Sequence, residues 1–411
     1  MHTAYIKNFE GAYSIAELGG QNISDGGVAK NFLTLAAEQG LDLLENYTDF
    51  NSLFYDGQNF IDAQKLLKNF NLTSDLDQQL DRVSKTDNSM QEVLDHIFPE
   101  DSALKRICTI RLTAYEGSPP TSLSICHNLA TLKYMLLGGL SEAHQASNFT
   151  PQLHMQSLKN GNAMLPLTLS KHLGNRIKLN KILHAVSKND NKIVLKFRDG
   201  SIVVCDKLIL AIPALTYNDI TFDDNVISEQ QLNMIKSISY GENSKILIPI
   251  QYAKKTCNSI ITDEMVTFFN GDQKLLNMYF INDDGTSRIK DQFSKQLSIL
   301  KQAYTGAEFN ELPPVDAEDT PFKQYNCPVA KSWVGDAYAK GSYSTYNVAL
   351  GTKLAQTRTY KNIPIKEMFM PANDRVFFIG EHTTLLSEIG TMEAAVESGE
   401  RIAKIISTKF G

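Results

Sequence analysis

The sequence predicts an α/β fold. The nearly continuous apolar run Lys207–Ile212 is typical of a strand buried on both faces of a parallel sheet. A second run, Arg375–Gly380, is followed by a helix predicted over Met392–Ser407, which is the order of a strand–helix unit. Helical patterns over about 56–147 and short strands over about 243–350 separate these parts of the chain.

A glycine segment and a helix come first in the chain. The segment is Glu17-Leu18-Gly19-Gly20-Gln21, and apolar residues at helical spacing predict a helix over about 28–39 that ends at Gly40. Apolar residues also recur at helical spacing around Leu66 and Leu94, which predicts further helices between 56 and 147.

Strand patterns replace the helical ones from Ile177 onwards. Ile177–Leu179 is predicted as a short strand, and Lys192–Phe197 and Ser201–Cys205 flank the turn sequence Arg198-Asp199-Gly200, which indicates a β-hairpin. Two more strands are predicted over Lys245–Ile250 and Leu276–Ile281.

The last helix carries small residues on one face. Ala395, Gly399 and Ala403 recur every fourth residue, so they share that face. This face is therefore small enough to lie close against a sheet.

Composition excludes several classes of protein. The chain has 411 residues, with 40 basic and 46 acidic side chains and a net charge of −6, which argues against nucleic-acid and anionic-membrane partners. No apolar run approaches the ~18 residues of a membrane-spanning helix, and the first residues lack the apolar stretch of a signal peptide. The five cysteines show no CxxC spacing, so we expect free thiols, a cytoplasmic location and no metal site.

The end of the chain carries the strongest local signal for chemistry. A predicted strand ends at Gly380, and after a short loop Gly390-Thr391-Met392 opens the last helix. A glycine at a strand end lets a ligand approach the backbone, and a helix start presents free N–H groups with partial positive charge. The pair suits an anionic group such as a phosphate or the N1–C2 edge of a reduced flavin, although the same order also occurs in ordinary strand–loop–helix connections.

The amino-acid sequence of this region resembles that of one enzyme family. Val376–Thr383 and Gly390–Ala403 are similar to the C-terminal flavin signature of the flavin-containing amine oxidases, which include monoamine, polyamine and L-amino-acid oxidases. Further segments resemble the family in the same order along the chain: Glu17–Gln21, Leu165–Leu169, Leu173–Leu179, the hairpin, Ala211–Pro213, and Trp333 with Gly341–Ser344.

The resemblance implies a cofactor site for FAD. Gly19 and Gly20 belong to the family's second glycine segment, and Leu183 resembles the apolar contact to the adenine. At the other end, Gly380 and Glu381 resemble the backbone that meets the pyrophosphate. Thr391 and Met392 stand where the helix start faces the flavin ring.

The resemblance implies two catalytic residues. Lys245 resembles the lysine that holds a water at flavin N5, with a solvated lysine at the start of a strand as the alternative. Tyr343 resembles one wall of the aromatic cage that orients an amine, with a packed loop tyrosine as the alternative. For His382 we favour a structural role.

Two substitutions depart from the family pattern. Ser342 stands where mammalian monoamine oxidases carry the cysteine that bonds the flavin, so the resemblance implies a non-covalent FAD. Thr391 stands where those enzymes place the second tyrosine of the cage, which makes a simple monoamine a less suitable substrate.

The largest departure concerns the phosphate-binding unit. The family begins with a strand, a GxGxxG turn and a helix that hold the ADP half of FAD, and the sequence contains no GxGxxG. We expect the N-terminal βαβ unit to be absent. Three explanations stay open: a separate small FAD-binding polypeptide, a misplaced start, or a remnant that binds no flavin.

These expectations define a fold and a function. The resemblance implies the fold of an FAD-dependent amine oxidase with two interleaved domains. The incomplete FAD-binding domain comprises residues 1–40, 150–240 and 365–411. The substrate domain comprises a helical part, 41–149, and a mixed sheet part, 241–364. The expected reaction is oxidation of an amine or amino acid to an imine with release of hydrogen peroxide. The alternatives are a flavin-free subunit that acts through a protein partner and a flavin-dependent desaturase.

Overall fold

The computed structural model describes residues 1–25, 29–49, 51–69, 88–98, 100–136, 152–252, 255, 257–286, 288–341, 343–348, 350–387 and 389–410. Ser342 lies outside these ranges, so its predicted consequence for the flavin linkage has no structural counterpart here.

Ten α-helices lie in the described residues: α1 (Lys30–Glu38), α2 (Ala63–Asn69), α3 (Met90–Ile97), α4 (Ala103–Glu116), α5 (Ile125–Leu136), α6 (Met164–Leu173), α7 (Glu229–Lys236), α8 (Arg288–Ala303), α9 (Gly351–Ala355) and α10 (Met392–Phe410). Four short 3-10 helices cover Gly174–Arg176, Ala214–Asp219, Glu367–Phe369 and Glu381–Thr383.

The strands of the same ranges are β1 (Thr3–Lys7), β2 (Tyr13–Glu17), β3 (Ser24–Asp25), β4 (Leu43–Asp49), β5 (Ser52–Tyr55), β6 (Phe60–Asp62), β7 (Gln152–Leu158), β8 (Leu183–Asn189), β9 (Lys192–Phe197), β10 (Ile202–Cys205), β11 (Leu208–Leu210), β12 (Thr221–Phe222), β13 (Ser239–Tyr240), β14 (Ser244–Gln251), β15 (Ser259–Ile261), β16 (Met265–Phe269), β17 (Leu275–Phe280), β18 (Glu308–Phe309), β19 (Val315–Asp316), β20 (Gln324–Tyr325), β21 (Val329–Ser332), β22 (Ser344–Thr345), β23 (Thr357–Tyr360), β24 (Ile363–Lys366) and β25 (Val376–Phe378).

The largest sheet is built around β14. Its strand order is β19-β21-β14-β17-β16-β15-β5-β6, and β14 pairs antiparallel with both β17 and β21. Because side chains alternate along a strand, Ile246 and Ile248 face α8, where they pack with Phe293 and Leu300. The opposite face of β14 carries Leu247, which packs against the hairpin β1–β2. Lys245 lies on that same face.

A two-stranded parallel sheet joins the middle of the chain to its end. β11 pairs with β25 in the register Ile209↔Phe377, and Phe377 packs against Ile402 and Ile405 of α10. The predicted strands at both positions are therefore confirmed, although each is shorter than predicted. Ile209 is 44% exposed, so the prediction that this run is buried on both faces is wrong.

Most of the other predicted elements are confirmed. The hairpin is β9–β10, α1 follows the glycine segment, and β14 and β17 form where strands were predicted. Ile177–Leu179 is not a strand: it follows a 3-10 helix, and Leu179 is 78% exposed. An apolar alternation over three residues is too short to require a sheet partner.

The small-residue face of α10 is uncovered in the described part of the protein. Ala395 and Ala403 are exposed, and a Cβ added at Gly399 would meet no atom within 4 Å. At Gly399 this face therefore has no close neighbour among the described residues. The pattern shows that the face can accept a close neighbour, not that one is present.

We predict that Gly399→Ala stabilises the protein. Alanine restricts the unfolded chain and favours the helix, and its methyl group meets open space at this position, so the free energy of unfolding should rise by about 0.5–1 kcal/mol. Urea unfolding followed by circular dichroism measures this change. Gly380→Ala is the contrasting variant, because φ is +136° there and the Cβ would lie 2.6 Å from the His382 ring. A loss of stability in Gly399→Ala would contradict the open environment of this face.

Candidate active site

The glycine segment is held by side chains from three distant elements. Every carbonyl from residue 17 to residue 21 accepts a hydrogen bond from a side chain. The donors are Lys245 Nζ to Glu17 O (3.0 Å) and Gly19 O (2.6 Å), Trp333 Nε1 to Leu18 O (2.9 Å), and Asn162 Nδ2 to Gly20 O (3.0 Å) and Gln21 O (2.8 Å). The path of this segment is thus fixed by β14, the loop after β21 and the loop before α6.

Two buried charges lie behind the glycine segment. The Glu17 carboxylate accepts hydrogen bonds from Thr3 Oγ1 (2.8 Å) and from the Asn162 N–H (2.6 Å), and it is 4% exposed. Burial raises the pKa of Glu17 to about 7, against these hydrogen bonds and the nearby Lys245 ammonium, which lower it. Burial likewise lowers the pKa of Lys245 to about 8, and the Glu17 carboxylate opposes that change.

A second, half-buried carboxylate joins the end of β25 to the start of α10. Glu381 accepts hydrogen bonds from the N–H groups of Ser344 (3.2 Å) and Gly390 (2.8 Å) and from the Ser344 hydroxyl. Burial raises the pKa of Glu381, and these hydrogen bonds oppose the rise. Gly380 itself has φ +136°, a conformation that favours glycine, and its N–H donates to Ser398 Oγ.

The start of α10 lies beside the glycine segment. A Cβ added at Gly20 would lie 3.4 Å from the thioether of Met392, so the two predicted cofactor segments lie close together. Thr391 is exposed, and its Oγ1 accepts a hydrogen bond from the Ala394 N–H at 3.0 Å, which caps the helix. The first N–H groups of a helix lack acceptors within the helix itself, so the start of α10 is a place where a ligand acceptor could bind.

Tyr343 is tied to the end of α4. Its hydroxyl donates to Ala114 O at 3.3 Å and to Tyr115 O, and burial raises its pKa. Its φ is +50°, and its ring lies against Gly390, where an added Cβ would be 2.5 Å from Cδ2. The tyrosine therefore connects α4 to the loop that precedes α10.

The remaining predicted residues lie in other surroundings. Leu183 begins β8 and packs at the edge of a core cluster that contains Val186 and Phe378. Arg106 is paired with Asp263 in a groove of about 360 Å³, so its guanidinium already has a carboxylate partner. His382 is buried with its ring 5.2 Å from that of Phe369, and burial lowers its pKa to about 3, which agrees with a structural role.

Asn162 is a functional candidate that the sequence alone did not indicate. It follows Gly161, whose φ is +96°, and it precedes α6 without any motif of its own. Its partners Gly20 and Gln21 are more than 140 residues away in the chain. Only the fold brings them together.

The donor set of this site fits a flavin better than a metal. It consists of backbone N–H groups, a helix start and a buried ammonium, which suit acceptor atoms and anions. In the described residues no group of three or more His, Cys, Asp or Glu side chains could hold a metal ion. A search of the same residues finds no helix that could span a membrane.

Comparison with known proteins gives a family and a fold. The family model for flavin-containing amine oxidoreductases matches residues 4–407. Among solved structures, a double mutant of putrescine oxidase with redesigned cofactor binding is 17% identical with a TM-score of 0.67, covering 99% of this chain and 91% of its own. Wild-type putrescine oxidase bound to putrescine is 16% identical with a TM-score of 0.66 and the same coverage.

A second enzyme gives the same result. Cyclohexylamine oxidase from Brevibacterium oxydans IH-35A is 14% identical with a TM-score of 0.68, covering 99% of this chain and 90% of its own. No curated protein sequence matches the chain. The predicted mixed helix and strand fold is therefore confirmed as that of FAD-dependent amine oxidases.

We predict that Glu17 makes stability depend on pH. Its pKa is about 7 in the folded protein against 4.5 in the unfolded chain, so the folded state binds more protons between these values. The stabilising contribution is complete below pH 4.5 and is lost as the pH rises through 7. Relative to Glu17→Gln, the free energy of unfolding of the wild type should fall between pH 4.5 and pH 7 and change little above pH 7. Urea unfolding at several pH values measures the difference, and a flat difference would contradict the burial of this carboxyl.

We also predict that Lys245→Met moves this pH window upwards. Removing the ammonium removes the charge that lowers the pKa of Glu17, so the carboxyl should stay protonated to higher pH. The same unfolding series measures it, with Lys245→Met compared with the double variant that adds Glu17→Gln. Lys331→Met is the control, because it removes another buried ammonium, which pairs with Asp336 and is not among the groups that shift the pKa of Glu17. An unmoved window in Lys245→Met would show that the two groups are not coupled.

Proposed function

The chain belongs to the flavin-containing amine oxidoreductase family, and from that premise we propose that it oxidises a small amine or amino acid with a non-covalently bound FAD. One observation carries the proposal. The glycine segment lies beside Met392 at the start of α10, and in the described part of the chain the N–H groups of Gly20 and Gln21 donate to no protein acceptor.

Different residues of this site are proposed to bind different parts of the cofactor. The N–H groups of the glycine segment and the start of α10, near Thr391, are proposed to face the acceptor atoms of the flavin. Gly380, which has no side chain, is proposed to let the phosphates approach the backbone at Glu381, since its own N–H donates to Ser398 Oγ. A bound flavin supplies the two-electron acceptor for oxidation of an amine to an imine and passes the electrons to oxygen as hydrogen peroxide. Leu183 is proposed as the apolar contact to the adenine.

Two side chains act around the reacting centre. Two of the three N–H donors of Lys245 are taken by carbonyls, which leaves one for the water that the family resemblance implies. Tyr343 has its hydroxyl held by α4, so its ring is fixed in one orientation. A fixed ring is suited to orienting a substrate amine.

We further propose that an added strand–helix segment completes the FAD site, in keeping with the interleaved domains set out above. The register of β11 on β25 directs the N–H and C=O of Phe378 away from β11, and Phe378 is 1% exposed. The small face of α10 lies uncovered nearby, and large apolar side chains are exposed between Leu173 and Ile209. A small polypeptide with a parallel strand and a GxGxxG helix matches these features.

The test of this proposal is reconstitution. We expect purified chain to bind little FAD alone and up to one FAD per chain when mixed with a polypeptide that carries the strand, GxGxxG turn and helix typical of the start of the family. Visible absorbance after gel filtration measures the flavin. Gly399→Leu should reduce the uptake, because a bulky side chain fills the small face, and Lys404→Leu on another face of α10 is the control.

The outcomes separate the alternatives. One flavin per chain without the polypeptide would contradict the need for an added segment. No flavin under either condition would favour the flavin-free subunit over the oxidase. Hydrogen peroxide formed from putrescine, cyclohexylamine or an amino acid by the reconstituted protein identifies the substrate class, and oxidation without peroxide release would favour the desaturase.

A further inference from the structure

Asn162 is almost completely enclosed, and every polar atom of its side chain has a partner. It is 0% exposed, its Nδ2 donates to Gly20 O and Gln21 O, and its Oδ1 accepts from the Leu158 N–H at 2.9 Å. An amide is the only small side chain that offers two donors and an acceptor at once. Its orientation is therefore fixed, and so is that of the two peptides it binds.

The direction of the carbonyls decides the direction of the N–H groups. In a trans peptide the C=O and the following N–H point in opposite directions, and the described residues contain no cis peptide bond. Gly19 O points at Lys245 and Gly20 O at Asn162, so the N–H groups of Gly20 and Gln21 point away from these buried donors.

These N–H groups lie on the open side of the segment. Gly20 is exposed and lies beside the Met392 side chain at the start of α10. Within the ranges that the structure describes, the N–H groups of Gly19, Gly20 and Gln21 donate to no protein acceptor, whereas that of Leu18 donates to His2 O. Consecutive N–H groups beside a helix start form a site for an acceptor atom or an anion.

We propose that Asn162 is a positioning residue for the flavin. Together with Lys245 and Trp333 it turns the carbonyls of residues 17–21 inward, which presents the N–H groups of Gly20 and Gln21 to acceptor atoms of the cofactor. The inference rests on the flavin site proposed above. It adds a residue that touches no cofactor atom itself and acts through the glycine segment.

Trp333 provides a direct readout of the segment. It is the single tryptophan of the chain, and its Nε1 donates to Leu18 O inside the segment. Asn162→Asp keeps the size of the side chain but sets a carboxylate against two carbonyls, which should displace the segment and shift the fluorescence of Trp333 to longer wavelength. This measurement needs no flavin.

A matched control exists in Asn128. It is 2% exposed, and its Nδ2 likewise donates to two carbonyls, those of Ser124 (2.7 Å) and Tyr346 (3.1 Å). Asn128→Asp therefore imposes the same chemical change in an equally buried place outside the glycine segment. Asn162→Ala and Asn128→Ala form a second pair without a new charge, which serves if an aspartate variant fails to fold.

The closing experiment compares these variants by fluorescence and by FAD titration in the presence of the strand–helix polypeptide. We expect both Asn162 variants to shift the Trp333 emission and to weaken FAD binding at least about tenfold, while the Asn128 variants leave both within about twofold. Unchanged emission or unchanged FAD affinity in the Asn162 variants overturns the inference. Failure of the wild type to bind FAD contradicts the proposed function instead, and the emission data then decide whether Asn162 holds the segment.

Discussion

The buried ammonium of Lys245 is the interaction on which the candidate site depends. β14 lies inside the largest sheet and is buried from Ser244 to Ile250, so a lysine there must find hydrogen-bond acceptors or lose its charge. The acceptors it finds are the carbonyls of Glu17 and Gly19, and the hairpin β1–β2 packs on the same face of the strand. The sheet thereby dictates where the glycine segment runs, and the backbone of that segment forms one side of the site.

A carboxylate performs the equivalent task on the other side. Glu381 follows β25, and its oxygens bind N–H groups of Ser344 and Gly390, which belong to a different strand and to the loop before α10. On each side of the site a charged side chain thus binds backbone groups of remote segments: Lys245, which is buried, and Glu381, which is half-buried. Such charges are costly to bury, and satisfying them with several hydrogen bonds restricts the chain to one arrangement.

Local patterns in the sequence revealed the helices and strands but not the contacts by which Lys245 and Glu381 join remote segments. The hairpin could be predicted because Arg198-Asp199-Gly200 supplies its turn, and β14 and β25 because their apolar runs are long relative to a strand. Ile177–Leu179 failed because three residues carry too little pattern, and Asn162 was missed because its partners at Gly20 and Gln21 are set by the fold. The roles proposed for Lys245 and Tyr343 came from resemblance; the structure adds the partners that hold each of them.

The use of backbone groups also explains how the fold tolerates wide divergence in sequence. The solved relatives share 14–17% of their residues with this chain at TM-scores of 0.66–0.71. A peptide N–H presented by Gly20 or by the start of α10 is the same chemical group whatever the neighbouring side chains are. What must persist is the direction of each peptide, and several combinations of buried donors can fix that direction. In this chain the combination is Lys245, Trp333 and Asn162. Residues that bind the buried side of the backbone can therefore differ between relatives that share the fold. A search restricted to the side chains that line a site would not find them.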